Sequence, residues 1–320
     1  MRFILLALFT MFASSAQALT LLNQTMNLQV PDGRLQGSLL LPRTKGPPPI
    51  ALLIAGSGPT DRDGNNPMGH NDSLKRLAQA LAQRGIASLR YDKRGVGQSS
   101  QLAPDESQLR VDEYVADAVA WARLLKDDRR FSAVILIGHS EGALVASLAE
   151  PDVRPSALIT IAGSGRPIGQ VLREQIQGRL PPSLLATANY LIDELDDGRR
   201  HAQVPDALQV LFRPSVQPYL ISLFDKDPAA AFGQTTAPAL IIQGTHDIQV
   251  EQRDAAALQR ARTDAELALI AGMNHVLRIV PMDHERQIAS YNQPELPIAN
   301  GPVERIAQFL TEHGLLPASS

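Results

Sequence analysis

The pentapeptide GHSEG, residues 138–142, has the pattern of a turn that presents a serine nucleophile. The apolar run AVILI precedes it, and a helical run beginning at Ala143 follows it. A serine on a tight strand-to-helix turn has a strained backbone, so the positions two residues away on either side need glycine. The amino terminus of the following helix favours an oxyanion. The pattern predicts nucleophilic catalysis by Ser140. The alternative is a glycine-bounded turn without chemistry.

A serine hydroxyl is a weak nucleophile at neutral pH and needs a base that a carboxylate holds in position. In a parallel sheet these partners are expected after later strands, in the order Ser, acid, His. The apolar run ALIIQ is followed by GTHD, which ends at Asp247, and ELALI is followed by AGMNH, which ends at His275. Because the carboxyl ends of parallel strands share one edge, we expect both side chains near Ser140.

Other residues are weaker candidates for the base and the acid. His246 adjoins the predicted acid and suits the base only if the acid lies elsewhere. His284 lies in a polar run typical of a solvated surface, and His139 is expected to pack structurally, away from the nucleophile's side. Glu251 and Asp254 are alternative acids on a predicted helix face.

An oxyanion hole needs two backbone amides at the point where negative charge develops. One is predicted to be the amide of Glu141, directly after the nucleophile. The second is expected from the loop AGSGP after the apolar run IALLIA, where Ser57 is the first choice by position and Gly58 the second. Gly56 and Gly58 would let the backbone approach a substrate closely, although a flexible loop also explains the glycines.

Two further loops carry clustered charges. Residues 60–65, TDRDGN, lack the full alternation and terminal glutamate of a calcium loop, so we interpret them as a hydrogen-bonded structural loop, with calcium as the alternative. Residues 92–99, DKRGVGQS, lack the third glycine and the acid of a dinucleotide fingerprint. We interpret them as a structural turn in which the buried charges of Asp92, Lys93 and Arg94 pair with each other.

Composition limits the classes of function. The chain has 320 residues, 44% of them hydrophobic and 20% charged, which is typical of a globular protein. It has no cysteine, which excludes disulfides, thiolate metal sites and a cysteine nucleophile. The net charge of −3 argues against nucleic-acid binding. Because acyl transfer to serine and then to water needs no cofactor, we expect neither an organic cofactor nor a metal. The oligomeric state is not predicted.

Residues 1–18 have the pattern of a secretory signal peptide, with Arg2, a short apolar run, and small residues at Ala16 and Ala18. We expect cleavage after Ala18 and a mature protein in the periplasm or outside the cell, without stable membrane insertion. The alternative is an N-terminal anchor that is not cleaved.

Short apolar runs alternate with amphipathic helical segments, which predicts an α/β protein with a mostly parallel sheet covered on both faces. Residues 21–30 and 35–42 flank a Pro-Asp-Gly turn and predict a hairpin. Residues 164–236 contain helical stretches broken by prolines and no buried-strand run. We therefore expect residues 19–163 and 237–320 to form the core, and the segment between them to be a helical cap above the carboxyl ends of the strands.

The cap contains an apolar stripe with two possible roles. It can face the substrate pocket, or it can seat the cap on the core. The stripe consists of Tyr219, Leu220, Leu223 and Phe224.

These motifs together resemble the α/β-hydrolase superfamily, and more narrowly the bacterial esterases with an inserted helical cap. The resembling segments are IAGSGPTDRDGN (54–65), YDKRGVGQS (91–99), GHSEG (138–142), RPSVQPYL (213–220), GTHDIQV (244–250) and GMNHVL (272–277). The resemblance implies the α/β-hydrolase fold with an eight-stranded, mostly parallel sheet. It also implies a Ser–His–Asp triad, with Ser140 as nucleophile, His275 as base and Asp247 as orienting acid. Ala55 departs from the histidine of many relatives, a residue that is usually structural.

The activity implied is hydrolysis of small carboxylic esters with short to medium acyl chains through an acyl-enzyme. An aminopeptidase-like hydrolase is an alternative and needs an acid in the cap for a free amine. Glu194, Asp196 and Asp197 are available there, in a run typical of a solvated helix end. A thioesterase and a binding protein of the same fold without catalysis are further alternatives, and an intact triad argues against the binding protein.

Overall fold

Eight strands are found in the computed structural model, which describes residues 21–317; the predicted signal peptide, residues 1–18, lies outside the described residues. The strands are β1 (Leu22–Val30), β2 (Gly33–Leu41), β3 (Ile50–Ile54), β4 (Ala87–Tyr91), β5 (Val134–His139), β6 (Ala157–Ile161), β7 (Ala239–Gly244) and β8 (Glu266–Ile270). They form one sheet in the order β1-β2-β4-β3-β5-β6-β7-β8, in which β2 is antiparallel to both neighbours and the other pairs are parallel. The predicted hairpin and mostly parallel sheet are confirmed.

Helices cover both faces of this sheet. They are α1 (Ser73–Gln83), α2 (Val111–Lys126), α3 (Glu141–Val153), α4 (Ile168–Ile176), α5 (Pro182–Asp196), α6 (Gln209–Phe212), α7 (Gln217–Phe224), α8 (Pro228–Gly233), α9 (Gln252–Ala261), α10 (His284–Ser290) and α11 (Asn300–Glu312). The apolar residues of α1 and α11 pack on one face, and those of α2, α3 and α9 pack on the other. No described helix is both long and apolar enough to span a bilayer.

The central strands are buried along their whole length because both of their faces are covered. All residues of β3, β5 and β7 are buried, whereas β1 at the edge of the sheet is largely exposed. Parallel β3 to β8 place their carboxyl ends along one edge. The segments that follow β3, β4, β5, β7 and β8 therefore meet there.

Residues 162–238 contain no strand and hold α4 to α8. The last of these helices, α8, packs against α3 and α9 of the core. The amides of Thr236 and Ala237, just after it, donate to Glu150 Oε1 on α3 at 3.0 and 2.8 Å. These bonds fix the point where the chain returns to the sheet.

One helix was not predicted. The polar run around His284 was interpreted as a solvated surface, and His284 is indeed exposed, but it begins α10. The buried residues of α10 are the polar Gln287 and Ser290, so the sequence shows no apolar stripe. Ser290 Oγ accepts a hydrogen bond from Asn274 Nδ2 at 2.8 Å, which ties α10 to the loop that carries His275.

Trp121 on α2 is fully buried, with its ring centroid 5.8 Å from that of Tyr91. We predict that Trp121→Ala lowers the free energy of unfolding by about 3–5 kcal/mol, because it leaves a large cavity in the core. Urea denaturation followed by circular dichroism measures the change. The control Leu269→Ala removes a half-exposed side chain and should cost less than about 1 kcal/mol. Equal stability of the two variants would contradict the prediction.

Candidate active site

Ser140 lies in a strained turn between β5 and α3, with φ 55° and ψ −123°. A Cβ on Gly138 would lie 2.1 Å from the carbonyl oxygen of Gly142, and a Cβ on Gly142 would lie 2.2 Å from that of Ile54. Neither position can hold a side chain without movement of the backbone. The structure therefore has the predicted strand-turn-helix, with glycine at the two positions that require it. Ser140 directly precedes α3, at the end of the helix where backbone amides are free.

Asp247 and His275 lie together after β7 and β8, with His275 Nδ1 2.8 Å from Asp247 Oδ2. Both side chains are buried. Burial alone would raise the pKa of Asp247, but His275 and the amides of Val250 and Gln249 outweigh it, so this pKa lies below its ordinary value. An ionised Asp247 accepts a hydrogen bond from His275 Nδ1–H, and this bond favours the tautomer whose Nε2 carries no hydrogen.

His139 connects this pair to the serine turn. Its Nε2 donates to the backbone carbonyl of His275 at 2.8 Å, and the two ring centroids are 4.9 Å apart. Burial, and then the proximity of His275, lowers the pKa of His139 to about 4, so the ring is neutral at pH 7. The predicted structural packing of His139 is confirmed. The sequence did not indicate that the residue it packs against is His275.

The weaker candidates are engaged elsewhere. His246 Nδ1 hydrogen-bonds to a backbone carbonyl at 2.6 Å. Asp254 is fully buried and pairs with Arg166 at 2.8 Å, while the carboxylate of Glu251 lies 2.9 Å from the guanidinium of Arg253. The carboxylate that contacts His275 is thus that of Asp247.

The three charges after β4 do not pair with each other, so that prediction is wrong. Asp92 pairs with Arg62 at 2.6 Å, and Arg94 pairs with Asp117 at 2.7 Å. Lys93 donates to two backbone carbonyls of the loop after β3. Adjacent side chains at a strand end point in different directions, so neighbours in sequence reach different partners. Burial lowers the pKa of Lys93, and the charge of Glu141 opposes that shift.

The loop at residues 60–65 is held by its own hydrogen bonds, as predicted. Asp61 Oδ1 accepts from the amides of Asp63 and Asn65 at 2.8 and 2.9 Å. Across residues 21–317, no group of three or more His, Cys, Asp or Glu side chains is arranged to hold a metal ion.

A cavity of about 360 Å³ lies beside the serine turn. Ser140, Glu141, Ser57 and Gly58 all line it, so the predicted nucleophile and both predicted oxyanion residues share one space. Gly56 lies against Ser140: a Cβ placed on it would be 3.0 Å from the Cβ of Ser140. The glycine therefore lets the loop after β3 approach the serine closely.

The cap supplies the apolar walls of this cavity. Tyr219 and Phe224 line it and are also buried in the hydrophobic core, so the two roles considered for the stripe are compatible. The Tyr219 hydroxyl donates to Glu141 Oε1 at 2.5 Å, which ties α7 to the serine turn. Further lining residues are Ile168, Leu172, Leu211, Val216, Leu220 and Leu223.

The sequence matches a protein-family model and a curated esterase. The model of the serine aminopeptidase S33 family matches residues 68–279, about two thirds of the chain. Esterase EstD of Thermotoga maritima is 29% identical over 247 residues, which cover 76% of this chain and 58% of EstD. The chain thus spans little more than half the length of that relative.

Solved structures of hydrolases share the fold. Est1E of Butyrivibrio proteoclasticus with bound ferulic acid has a TM-score of 0.60 at 17% identity and covers 90% of this chain and 98% of its own. A Xanthomonas campestris serine hydrolase without a lid has a TM-score of 0.54 at 19% identity, over 93% of this chain and 97% of its own. At these identities the likeness concerns the fold.

The neutral, buried His139 should make stability depend on pH. Between its folded pKa of about 4 and its unfolded pKa of about 6.5, the unfolded state binds the additional proton, so acidification favours unfolding. The slope is at most about 1.4 kcal/mol per pH unit. Relative to His139→Gln, which keeps an amide donor but does not titrate, the wild type should lose stability as the pH falls from 7 to about 4.5. Urea denaturation at several pH values measures this, and a difference independent of pH would contradict it.

Proposed function

The chain belongs to the serine aminopeptidase S33 family of α/β hydrolases, and from that premise we propose that it is a serine esterase that cleaves small carboxylic esters. The observation that carries the proposal is the meeting of three elements: the strained Ser140 turn, an apolar cavity beside it, and a histidine–aspartate pair packed on the residue before the serine. The similarity to EstD, which is named an esterase, also supports esterase activity.

The proposed mechanism assigns one role to each residue. His275 Nε2 takes the proton of the Ser140 hydroxyl as its oxygen attacks the ester carbonyl carbon. The amides of Glu141 and Ser57 hold the oxyanion that forms. The protonated imidazole, stabilised by Asp247, gives its proton to the leaving alcohol, and water then releases the acid from the serine by the same steps in reverse.

We propose short to medium acyl chains as the preferred substrates. The cavity is enclosed by aliphatic and aromatic side chains of the cap, which favour an apolar acyl group. Its volume of about 360 Å³ lies at the small end of the range for ligand pockets, which suits an acyl chain of this length.

In the cap, Glu194 is already paired, which favours an ester over a peptide whose free amine would bind there. Glu194 pairs with Arg199 and lies 3.1 Å from the imidazole of His201. Two carboxylates line the cavity within the described chain: Glu106, bound by Arg213, and Glu141, bound by Tyr219. Glu106 would have to release Arg213 to bind an ammonium group. Oε2 of Glu141 has no hydrogen-bond partner among the described residues, so Glu141 is the carboxylate that the peptidase alternative would use.

The amino-terminal pattern leads us to propose export to the periplasm or beyond the cell, with cleavage after Ala18. Mass determination of the protein from a periplasmic extract tests this. A chain that still begins at Met1 in the membrane fraction would show an uncleaved anchor.

We predict that Ser140→Ala abolishes hydrolysis of p-nitrophenyl butyrate without loss of folding. Asp247→Asn should lower kcat by about 10³- to 10⁴-fold, because the histidine would adopt the wrong tautomer. Asp254→Asn is the matched control for loss of a buried carboxylate elsewhere.

The wild type is also assayed with aminoacyl anilides and thioesters and treated with a fluorophosphonate label. Faster anilide cleavage would favour the peptidase, faster thioester cleavage the thioesterase, and an unlabelled protein the binding module.

Phe224→Ala should shift preference toward longer acyl chains, because it enlarges the apolar wall of the cavity. The ratio of kcat/KM for p-nitrophenyl octanoate to that for the acetate measures the shift. Phe232→Ala, which removes a fully buried phenylalanine of α8, is the control for lost stability alone. An unchanged ratio with lower stability would mean that Phe224 serves only to seat the cap.

A further inference from the structure

Lys93 is buried beside the candidate site and has no part in the mechanism above. It follows β4 and is 3% exposed. Its Nζ donates to the carbonyl oxygen of Gly56 at 2.5 Å and to that of Gly58 at 2.9 Å. The ammonium also lies 5.2 Å from the ring centroid of Tyr114. One cation thus holds two carbonyls of the loop that follows β3.

The first of these carbonyls belongs to the same peptide group as the Ser57 amide. A cation at the oxygen of a peptide group draws electron density toward that oxygen and makes the N–H at the other end a stronger donor. The bond from Lys93 to Gly56 therefore acts on the N–H that the oxyanion hole requires. The carbonyl of Gly58 precedes Pro59, which has no N–H, so the second bond can only fix the position of the loop.

The same loop is also held at a fixed position next to Ser140. Gly56 lies against the Cβ of Ser140, and Gly58 has φ +65°, which turns the chain so that both carbonyls can face Lys93. Without the ammonium, the buried carbonyl of Gly56 would lose its donor, and the loop would have to turn toward another. Any such rotation of the peptide would also move the Ser57 N–H.

We propose that Lys93 is a positioning residue for the oxyanion hole: it orients and polarises the peptide group that donates the Ser57 N–H. The inference rests on the proposed function, since it concerns the same reaction. It assigns Lys93 an effect on the transition state rather than on substrate binding.

The test compares Lys93→Met, which keeps the side-chain length but donates no hydrogen bond, with Lys93→Gln, which keeps one uncharged donor. Hydrolysis of p-nitrophenyl butyrate is measured per active site, counted by complete labelling with a fluorophosphonate. Loss of one oxyanion donor typically costs about 10²- to 10³-fold in kcat, so Lys93→Met should lower kcat by about 10- to 100-fold with KM within about threefold. Lys93→Gln should fall between. Affinity for a trifluoromethyl ketone, which forms the tetrahedral adduct, should decrease by the same factor as kcat/KM.

The control is Arg262→Met, a buried cation just before β8 at the opposite edge of the sheet, where it donates to Thr235 Oγ1 at 2.8 Å. It should lower the melting temperature and leave kcat per labelled site unchanged. If both Lys93 variants also had a lower melting temperature but an unchanged kcat per labelled site, the inference would be overturned. If Lys93→Met does not fold, Lys93→Gln decides it. Absence of Ser140-dependent hydrolysis in the wild type is a separate result, which refutes the proposed function and this inference with it.

Discussion

The site depends on how closely the backbone after β5 approaches the backbone after β3. Gly142 leaves no room for a Cβ next to the carbonyl of Ile54, and Gly56 lies against the side chain of Ser140. Parallel pairing of the two strands sets this distance, from Ile50 opposite Val134 to Ile54 opposite Gly138. The pairing of the two strands thus determines where Ser140 and the loop after β3 meet.

A second set of contacts holds the imidazole of His275 in place. His139 binds the carbonyl of His275, and α10 binds Asn274 beside it. Asp247 Oδ1 accepts hydrogen bonds from the amides of Gln249 and Val250, and these bonds orient the carboxylate toward the imidazole. From the cap, Tyr219 reaches the residue after the nucleophile. Each loop of the site is therefore fixed by hydrogen bonds from outside its own strand.

The parts that could be predicted from the sequence are local. The apolar runs and the hairpin pattern identified β1, β2, β3, β5, β7 and β8, and the spacing of glycines around Ser140 indicated the turn, because these patterns depend on neighbours in the chain. The partners of Asp92, Lys93 and Arg94 could not be predicted, since they lie on distant loops and on helix α2, which meet these residues only in the folded protein. Helix α10 was missed for a related reason: its buried Gln287 and Ser290 are stabilised by hydrogen bonds rather than by an apolar stripe.

The backbone of Ser140 has a consequence for how this sequence can evolve. A positive φ at a residue with a Cβ costs about 1–3 kcal/mol, and glycine would remove that penalty. A descendant released from selection for catalysis would gain stability from that single exchange. The chain instead has a serine in this strained turn, which is the trade-off between stability and activity expected of a working enzyme.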